Sequence, residues 1–138
     1  MIKQVRRSVL TLLSAAALVL LASNQALRAE EVSFKEHLTP VLKRQCALCH
    51  LTGSEAGGMA LHPRAAYASL VGPQALALPD MARVSPGDPA HSYLIHKLRG
   101  THLAVGGSGE RMPLGQAALD DATLALFVAW VEQGAQNN

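Results

Sequence analysis

Apolar residues recur at helical spacing in two segments of the chain. The first segment has them at positions i, i+4, i+7 and i+8, namely Phe34, Leu38, Val41 and Leu42. The second has them at positions i, i+3, i+4 and i+7, namely Leu124, Phe127, Val128 and Val131. Because these spacings place side chains on one face of an α-helix, both segments are predicted to be amphipathic helices.

Polar residues beside these segments predict where the helices begin. Ser33 and Glu36 form a capping box that opens the first helix. Pro40 is expected to kink that helix or to restart it with Thr39 as its cap, because proline disturbs a helix interior. The last helix is predicted to have Asp120 as its cap.

The middle of the chain has a less regular pattern. A short helix is predicted over residues 63–70, and the stretch 71–84, which contains two prolines, is expected to be irregular. Pro89 suits the first position of another helix, which is expected to stop at Gly100. Residues 100–111 are rich in glycine and are predicted to be a loop. No segment of the sequence shows a pattern that favours a strand over a helix, so the sequence predicts an all-α domain.

The N-terminus has a different organisation. A basic start is followed by an almost entirely apolar run at residues 9–22 and then by small residues, an order typical of a secretory signal peptide with Ala26 or Ala29 as the cleavage point. The apolar run has 14 residues, whereas a transmembrane helix needs about 20, so an uncleaved membrane anchor is the weaker alternative. We expect residues 1–29 to direct export by the general secretory route and residues 30–138 to form one domain, with no stable membrane insertion after removal of the signal.

The predicted leader also accounts for the basic charge of the chain. The full sequence has 12 Lys and Arg against 10 Asp and Glu, a net charge of +2. Four of the basic residues precede residue 30, so the predicted mature domain has a net charge of −2. We therefore expect no binding to nucleic acid, which requires a basic surface.

Both cysteines of the chain lie in the segment Cys46-Ala47-Leu48-Cys49-His50. C-x-x-C-H is the attachment signature of c-type haem. Two thiols three residues apart lie on one side of a helical turn, where they can bond the two vinyl groups of a porphyrin, and the next histidine can bind the iron. The alternatives are a thioredoxin-like redox pair and half of a zinc site, but no βαβ pattern surrounds the cysteines and no second pair is present. The sequence predicts one haem c, attached covalently through Cys46 and Cys49, with His50 as an axial ligand.

The second axial ligand decides what such a haem can do. The candidates are the remaining thioethers and imidazoles of the domain, namely Met59, Met81, Met112, His37, His62, His91, His96 and His102. Met112 is the best candidate because it follows a flexible loop and precedes Pro113, which stiffens the chain. His96 and His102 are its main competitors. Histidine and methionine together leave no open position for a substrate, so such a haem passes single electrons.

Several further segments occur in a characteristic order around this motif. They are Pro40-Val41-Leu42 before it, then Gly57-Gly58-Met59-Ala60-Leu61, Pro86-Gly87-Asp88-Pro89, Met112-Pro113 and Trp130-Val131-Glu132-Gln133-Gly134-Ala135. With them the chain resembles the class I c-type cytochromes, most closely the short planctomycete-type cytochrome c module, over nearly all of the predicted mature chain. The resemblance implies a small cytochrome c-like helical domain wrapped around one covalently attached haem. It also implies that Met112 is the distal ligand and that the helices holding Phe34 and Trp130 cross beside the haem.

Further predictions concern the surroundings of the predicted haem. Arg99 or Arg111 is a candidate to neutralise a haem propionate, and an ordinary solvated charge is the alternative for each. Trp130 is a candidate for the haem edge or, equally, for the helix core. His96, Lys97 and Arg99 form a small basic patch that is a candidate docking site for an acidic redox partner.

Three functional hypotheses follow. The first is a periplasmic monohaem c-type cytochrome that transfers single electrons between redox protein partners and is not an enzyme by itself. The second is a haem enzyme or gas sensor with an open or labile distal site, which carbon monoxide binding would reveal. The third is an electron-transfer subunit of a larger periplasmic oxidoreductase, which would co-purify with a stable partner.

Overall fold

Helical segments form the framework of residues 30–138, the part of the chain that this computed structural model describes. The predicted signal peptide at residues 1–29 lies outside the described residues. The described part contains four α-helices, α1 (Thr39–Gln45), α2 (Ala66–Leu70), α3 (Tyr93–Arg99) and α4 (Asp121–Glu132). It also contains a π-helical turn and two 3₁₀ turns, which are Phe34–Leu38, Pro89–His91 and His102–Val105. No helix between residues 30 and 138 is long and apolar enough to cross a membrane.

The first helical segment begins and breaks near the predicted residues. The Ser33 Oγ accepts a hydrogen bond from the Glu36 N–H at 3.1 Å, which confirms Ser33 as the N-cap. The π-helical turn ends at Leu38, and α1 begins at Thr39 with Pro40 in its first turn. Proline is tolerated there because the first N–H groups of a helix have no helical partner. The predicted restart is confirmed, but the prediction of Thr39 as the cap is wrong, because Leu38 is the N-cap, Thr39 is the first residue of α1, and no side chain caps this helix.

The later helices follow the predicted caps more closely than the predicted lengths. Asp120 caps α4, since its Oδ1 accepts a hydrogen bond from the Thr123 N–H at 2.8 Å. The end of α3 at Gly100 is confirmed, and the φ of 76° at this residue is one that glycine adopts readily. The helix predicted from Pro89 is divided into a 3₁₀ turn and α3, because Ser92 between them has an extended backbone.

Two short strands, β1 (Gln74–Ala75) and β2 (Leu78–Ala82), form an antiparallel pair. The prediction of an all-α, cytochrome c-like helical domain is therefore wrong, because the described residues form a small mixed α/β domain. These strands could not be predicted from the sequence, because β1 has only two residues and β2 contains Pro79. Neither strand shows the alternation of apolar and polar residues by which strands are predicted.

The strand pair has an irregular register and leads directly to α3. Its paired residues are Gln74 with Ala82 and Ala75 with Leu78. Arg83 follows β2, and its N–H donates to the Pro73 carbonyl at 3.0 Å while its own carbonyl accepts from the Leu94 N–H at 2.9 Å. These two bonds hold the backbone of Arg83 between the strand pair and α3.

Three aromatic rings form the centre of the core. The ring of Phe34 lies 5.1 Å from that of Trp130 and 5.4 Å from that of Tyr67, measured between centroids. Trp130 is fully buried, and its Nε1 donates to the Gln136 carbonyl at 2.8 Å. The first and last helical segments thus contact each other through Phe34 and Trp130. This aromatic packing accounts for the burial of Trp130, so of the two predicted roles the structure favours the helix core.

Candidate functional site

Cys46, Cys49 and His50 share one turn directly after α1. The N–H groups of Cys49 and His50 donate to the Cys46 carbonyl at 3.1 and 3.0 Å. Cys46 is partly buried against the core, Cys49 is exposed, and both are free thiols. Burial, together with the neighbouring Cys49, raises the pKa of the Cys46 thiol to about 11. The two sulfur atoms are therefore free for covalent attachment, but Cys46 is protonated at neutral pH and is a weak nucleophile without help.

His50 is buried with one ring nitrogen unpaired. Its side chain is 8% exposed, and its Nδ1 has no hydrogen-bond partner among the described residues. Its carbonyl accepts a hydrogen bond from the Leu61 N–H at 2.7 Å, which holds the backbone in place. Burial lowers the pKa of His50, against the opposing effects of the Glu55 carboxylate and the Ala56 carbonyl. The imidazole is therefore neutral at pH 7, which is the form that binds a metal ion.

A cavity of about 350 Å³ opens beside His50. Its volume lies within the range of about 300–1,000 Å³ that is usual for cofactor and ligand pockets. Most of its walls are apolar side chains from the segment after His50, the β1–β2 connection, α3 and the loop around Met112. His50 and Met112 both line this cavity, although 62 residues separate them in sequence. The structure thus brings the two predicted axial ligands together, whereas Cys46 and Cys49 are not among the lining residues.

Met112 is attached to α3 through its backbone. Its N–H donates to the Lys97 carbonyl at 3.0 Å. Its carbonyl accepts a hydrogen bond from the Arg111 Nη1 at 3.2 Å, and the Arg111 Nη2 reaches the Gln116 carbonyl at 2.8 Å. These bonds hold Met112, which lies outside any helix, at a defined place in the cavity wall.

The loop before Met112 is clamped by Tyr93, the first residue of α3. The Tyr93 hydroxyl accepts from the Ser108 N–H at 3.2 Å and donates to the Ser108 carbonyl at 3.4 Å. The Lys97 Nζ donates to the same carbonyl at 3.1 Å. Gly107 lies so close to the Tyr93 ring and hydroxyl that a Cβ at this position would overlap them. Glycine is therefore required for the clamp to close.

Substitution of Tyr93 by phenylalanine is expected to loosen this loop while leaving the core intact. It removes two hydrogen bonds, each worth about 1 kcal/mol net, so the free energy of unfolding should fall by about 1–2 kcal/mol. Amide hydrogen exchange, followed by mass spectrometry, should become faster at residues 106–109. Tyr67→Phe is the matched control, because it removes a hydroxyl that bonds the Ala135 carbonyl at 3.0 Å in a different part of the domain. Unchanged exchange at residues 106–109 in Tyr93→Phe would show that the loop does not depend on the clamp.

The competing histidines lie away from the cavity. Its lining includes none of His37, His62, His91, His96 and His102. Both ring nitrogens of His96 are engaged, Nδ1 with the Thr101 hydroxyl and Nε2 with the Ala90 carbonyl, each at 2.8 Å. His102 is buried, and its Nε2 lies 2.7 Å from the Gly109 carbonyl. Both ring nitrogens of His96 are therefore occupied by structural hydrogen bonds, whereas the buried Nδ1 of His102 has no partner among the described residues.

The competing methionines differ from each other in position. Met81 does not line the cavity, whereas Met59 does. Met59 also lies near His50, because a Cβ on Gly57 would stand 3.2 Å from the Met59 Cε and 3.8 Å from the His50 Cε1. Met59 is therefore the thioether against which the assignment of Met112 has to be tested.

The cationic side chains that line the cavity are Arg83 and Lys97. Arg99 is exposed and lines a separate hollow beside α4, and the Arg111 guanidinium bonds nearby backbone carbonyls. Neither of the two arginines predicted as propionate partners lines the cavity, whereas Arg83, which the sequence did not single out, does. Lys97 also faces a different hollow from Arg99, so the structure does not support a common basic patch with His96.

Between residues 30 and 138 there is no group of three or more His, Cys, Asp or Glu side chains placed to hold a metal ion. The pair formed by His50 and Met112 is a different donor set. Comparisons with protein-family models, with curated proteins and with solved structures find no match for this chain. The likeness to class I c-type cytochromes therefore stays a prediction based on motifs.

Proposed function

We propose that this chain is a monohaem c-type cytochrome that transfers single electrons between redox protein partners. The observation that carries the proposal is that His50 and Met112 line one largely apolar cavity. An imidazole and a thioether are the axial pair that cytochromes c use for haem iron. The buried Nδ1 of His50 has no hydrogen-bond partner among the described residues, a state it shares with the Nδ1 of His102, and bound groups often satisfy such atoms.

The residues around the cavity fit a haem in other respects. The walls are mostly apolar, as a porphyrin requires. Burial keeps His50 neutral and hence able to donate to iron. Cys46 and Cys49 are free thiols in the same turn as His50, at the spacing of a c-type attachment motif. This agreement concerns the donor atoms and their environment, and it holds for a mixed α/β domain as well as for an all-α one.

The two proposed axial ligands decide the kind of chemistry. When bound, haem supplies a reversible one-electron change of its iron. His50 and Met112 would both bind the iron of such a haem and would leave no place for a substrate, which favours electron transfer over catalysis. The Met112 thioether also favours the reduced state relative to a second imidazole. The mostly apolar walls give these ligands surroundings of low polarity, which favour the less charged state of the site.

The proposal also has a cellular setting. Haem c is attached after export of an unfolded chain. The predicted signal peptide at residues 1–29 and the motif at Cys46 would therefore act one after the other in the same maturation route. That route leads to the periplasm, where the proposed partners are one redox protein that donates electrons and another that accepts them. Neither a nucleic acid nor a stable membrane anchor is part of the proposal.

The visible spectrum of the periplasmically matured protein tests this function. We expect one covalently attached haem and, in the oxidised protein, the weak methionine–iron charge-transfer band at the red end of the spectrum. The reduced protein should not bind carbon monoxide at neutral pH. Protein made without the haem-attachment machinery is the control and should have two free thiols by mass spectrometry.

Either of two results would count against the proposal. Matured protein that still has two free thiols would exclude a c-type cytochrome. Attached haem that binds carbon monoxide directly would favour the haem enzyme or gas sensor instead, because its distal position would be open.

A further inference from the structure

Arg83 is a buried cation in the wall of the cavity. It directly follows β2, its side chain is 8% exposed, and it lines the cavity. Its Nη1 donates to the Ser69 carbonyl at 2.8 Å, and its Nη2 donates to the Gly57 and Gly58 carbonyls at 3.0 Å. Three of the five guanidinium N–H groups are thus directed to neutral oxygens. These bonds hold the guanidinium in place but do not compensate its charge.

No carboxylate accompanies this charge among the described residues. The ion pair found there joins His91 to Asp88 at 2.7 Å, and Arg83 forms none. Burial lowers the pKa of Arg83, and no acidic neighbour opposes that effect. A guanidinium nevertheless stays protonated in proteins, so the positive charge remains. A buried charge without a partner is destabilising, which makes Arg83 a site that an anion would stabilise.

The other charged residues of the cavity interact with each other. They are Lys97 and Glu110. Burial lowers the pKa of Lys97, while the Glu110 carboxylate acts to raise it, so the two side chains interact electrostatically. The Lys97 Nζ is in addition bonded to the Ser108 carbonyl at 3.1 Å. Of the two cations in the cavity wall, Arg83 is therefore the one on which no carboxylate of the described residues acts.

We propose that Arg83 binds a carboxylate of the molecule that fills the cavity, and that in a haem-loaded protein this carboxylate is a haem propionate. The inference rests on the proposed function and adds to it a residue that sets the reduction potential. Arg83 neutralises a negative charge close to the iron, and this favours the reduced state, which has one positive charge fewer. Its attachment to Gly57, Gly58 and Ser69 fixes the guanidinium at the cavity wall before the cavity is filled.

The test compares three variants of the holoprotein with the wild type. Arg83→Gln removes the charge, Arg83→Lys keeps it but loses the fork of donors, and Arg99→Gln removes an equal charge from the exposed surface as a matched control. Spectroelectrochemistry on each should show the ratio of oxidised to reduced protein at a fixed applied potential. In Arg83→Gln we expect this ratio to rise at least tenfold, which is a fall in potential of about 59 mV for one electron. Arg83→Lys and Arg99→Gln should stay within threefold of the wild type.

The pH dependence of the reduction potential distinguishes a charge partner of the carboxylate from a residue with a purely structural role. A buried carboxyl that loses its cation has a raised pKa, so in Arg83→Gln the potential should fall as the pH rises from about 5 to about 8, while the wild type stays flat. The same slope should persist in Arg83→Gln combined with Glu110→Gln, which removes the other carboxyl in the cavity wall. A structural role alone would lower haem yield in both Arg83 variants without producing this slope.

Each outcome decides the matter. Attached haem with an unshifted, pH-independent potential in Arg83→Gln would overturn the role of Arg83 and leave the proposed function standing. A wild type without haem would overturn both. Where Arg83→Gln fails to mature, Arg83→Lys decides: a potential close to the wild-type value supports a charge partner, and a tenfold shift overturns it.

Discussion

A chain in which both Cys46 and Cys49 are replaced by alanine is expected to lack covalent haem and to lose most of its stability. These are the two cysteines of the chain, so no other sulfur can form the thioether bonds. Without haem the cavity of about 350 Å³ has no occupant. If it stayed dry, a void of about 350 Å³ would cost about 8 kcal/mol at about 24 cal/mol per Å³, which is comparable with the whole stability of a small domain. Water that enters from the open side reduces this cost without replacing the lost contacts.

Haem staining after denaturing electrophoresis and thermal unfolding by circular dichroism measure the two effects. Leu48→Ala is the matched control, because Leu48 lies between the two cysteines and is 88% exposed. It should keep the covalent haem and the wild-type Tm. Stained haem in the double cysteine variant, or a Tm equal to that of the wild type, would contradict the attachment sites assigned to this motif.

Three helix boundaries were predictable from sequence because they depend on neighbouring residues. Ser33 and Asp120 accept hydrogen bonds from N–H groups three residues further on, and Gly100 ends α3 with a positive φ. Such caps need no knowledge of the remaining chain. The strands β1 and β2 are different, since a two-residue strand has no detectable period and forms only because its partner lies beside it. The all-α prediction failed at this point.

The residues of the candidate site likewise include some that could be predicted from sequence and others that could not. His50 could be proposed from its motif, and Met112 from its place between a glycine-rich loop and a proline. Arg83 could not be proposed from sequence, because its role depends on burial and on hydrogen bonds to carbonyls from two distant segments, including that of Ser69. The clamp of Tyr93 on Ser108 joins residues 15 positions apart through hydrogen bonds to the backbone, for which side-chain patterns contain no signal.

Replacement of Met112 by alanine is expected to leave the haem attached and to change its redox chemistry. The covalent bonds lie at Cys46 and Cys49, so they do not depend on the sixth ligand. The red-end charge-transfer band should disappear, and the reduction potential should fall by on the order of 100 mV, since axial ligands set haem potentials over a range of about 0.8 V. Carbon monoxide should then bind the reduced protein stoichiometrically. Visible spectra with and without carbon monoxide, and a redox titration, measure all three changes.

Met59→Ala and Met81→Ala make this experiment decisive, because the three methionines differ in their relation to the cavity. Met112 and Met59 line it, whereas Met81 does not. If Met112 is the ligand, both control variants keep the charge-transfer band and exclude carbon monoxide. If the band is lost in Met59→Ala and kept in Met112→Ala, the thioether near His50 is the ligand and the assignment from the Met-Pro motif is wrong. Retention of the band in all three variants would contradict methionine ligation by any of these residues, and with it the argument that a filled distal position makes this protein an electron carrier.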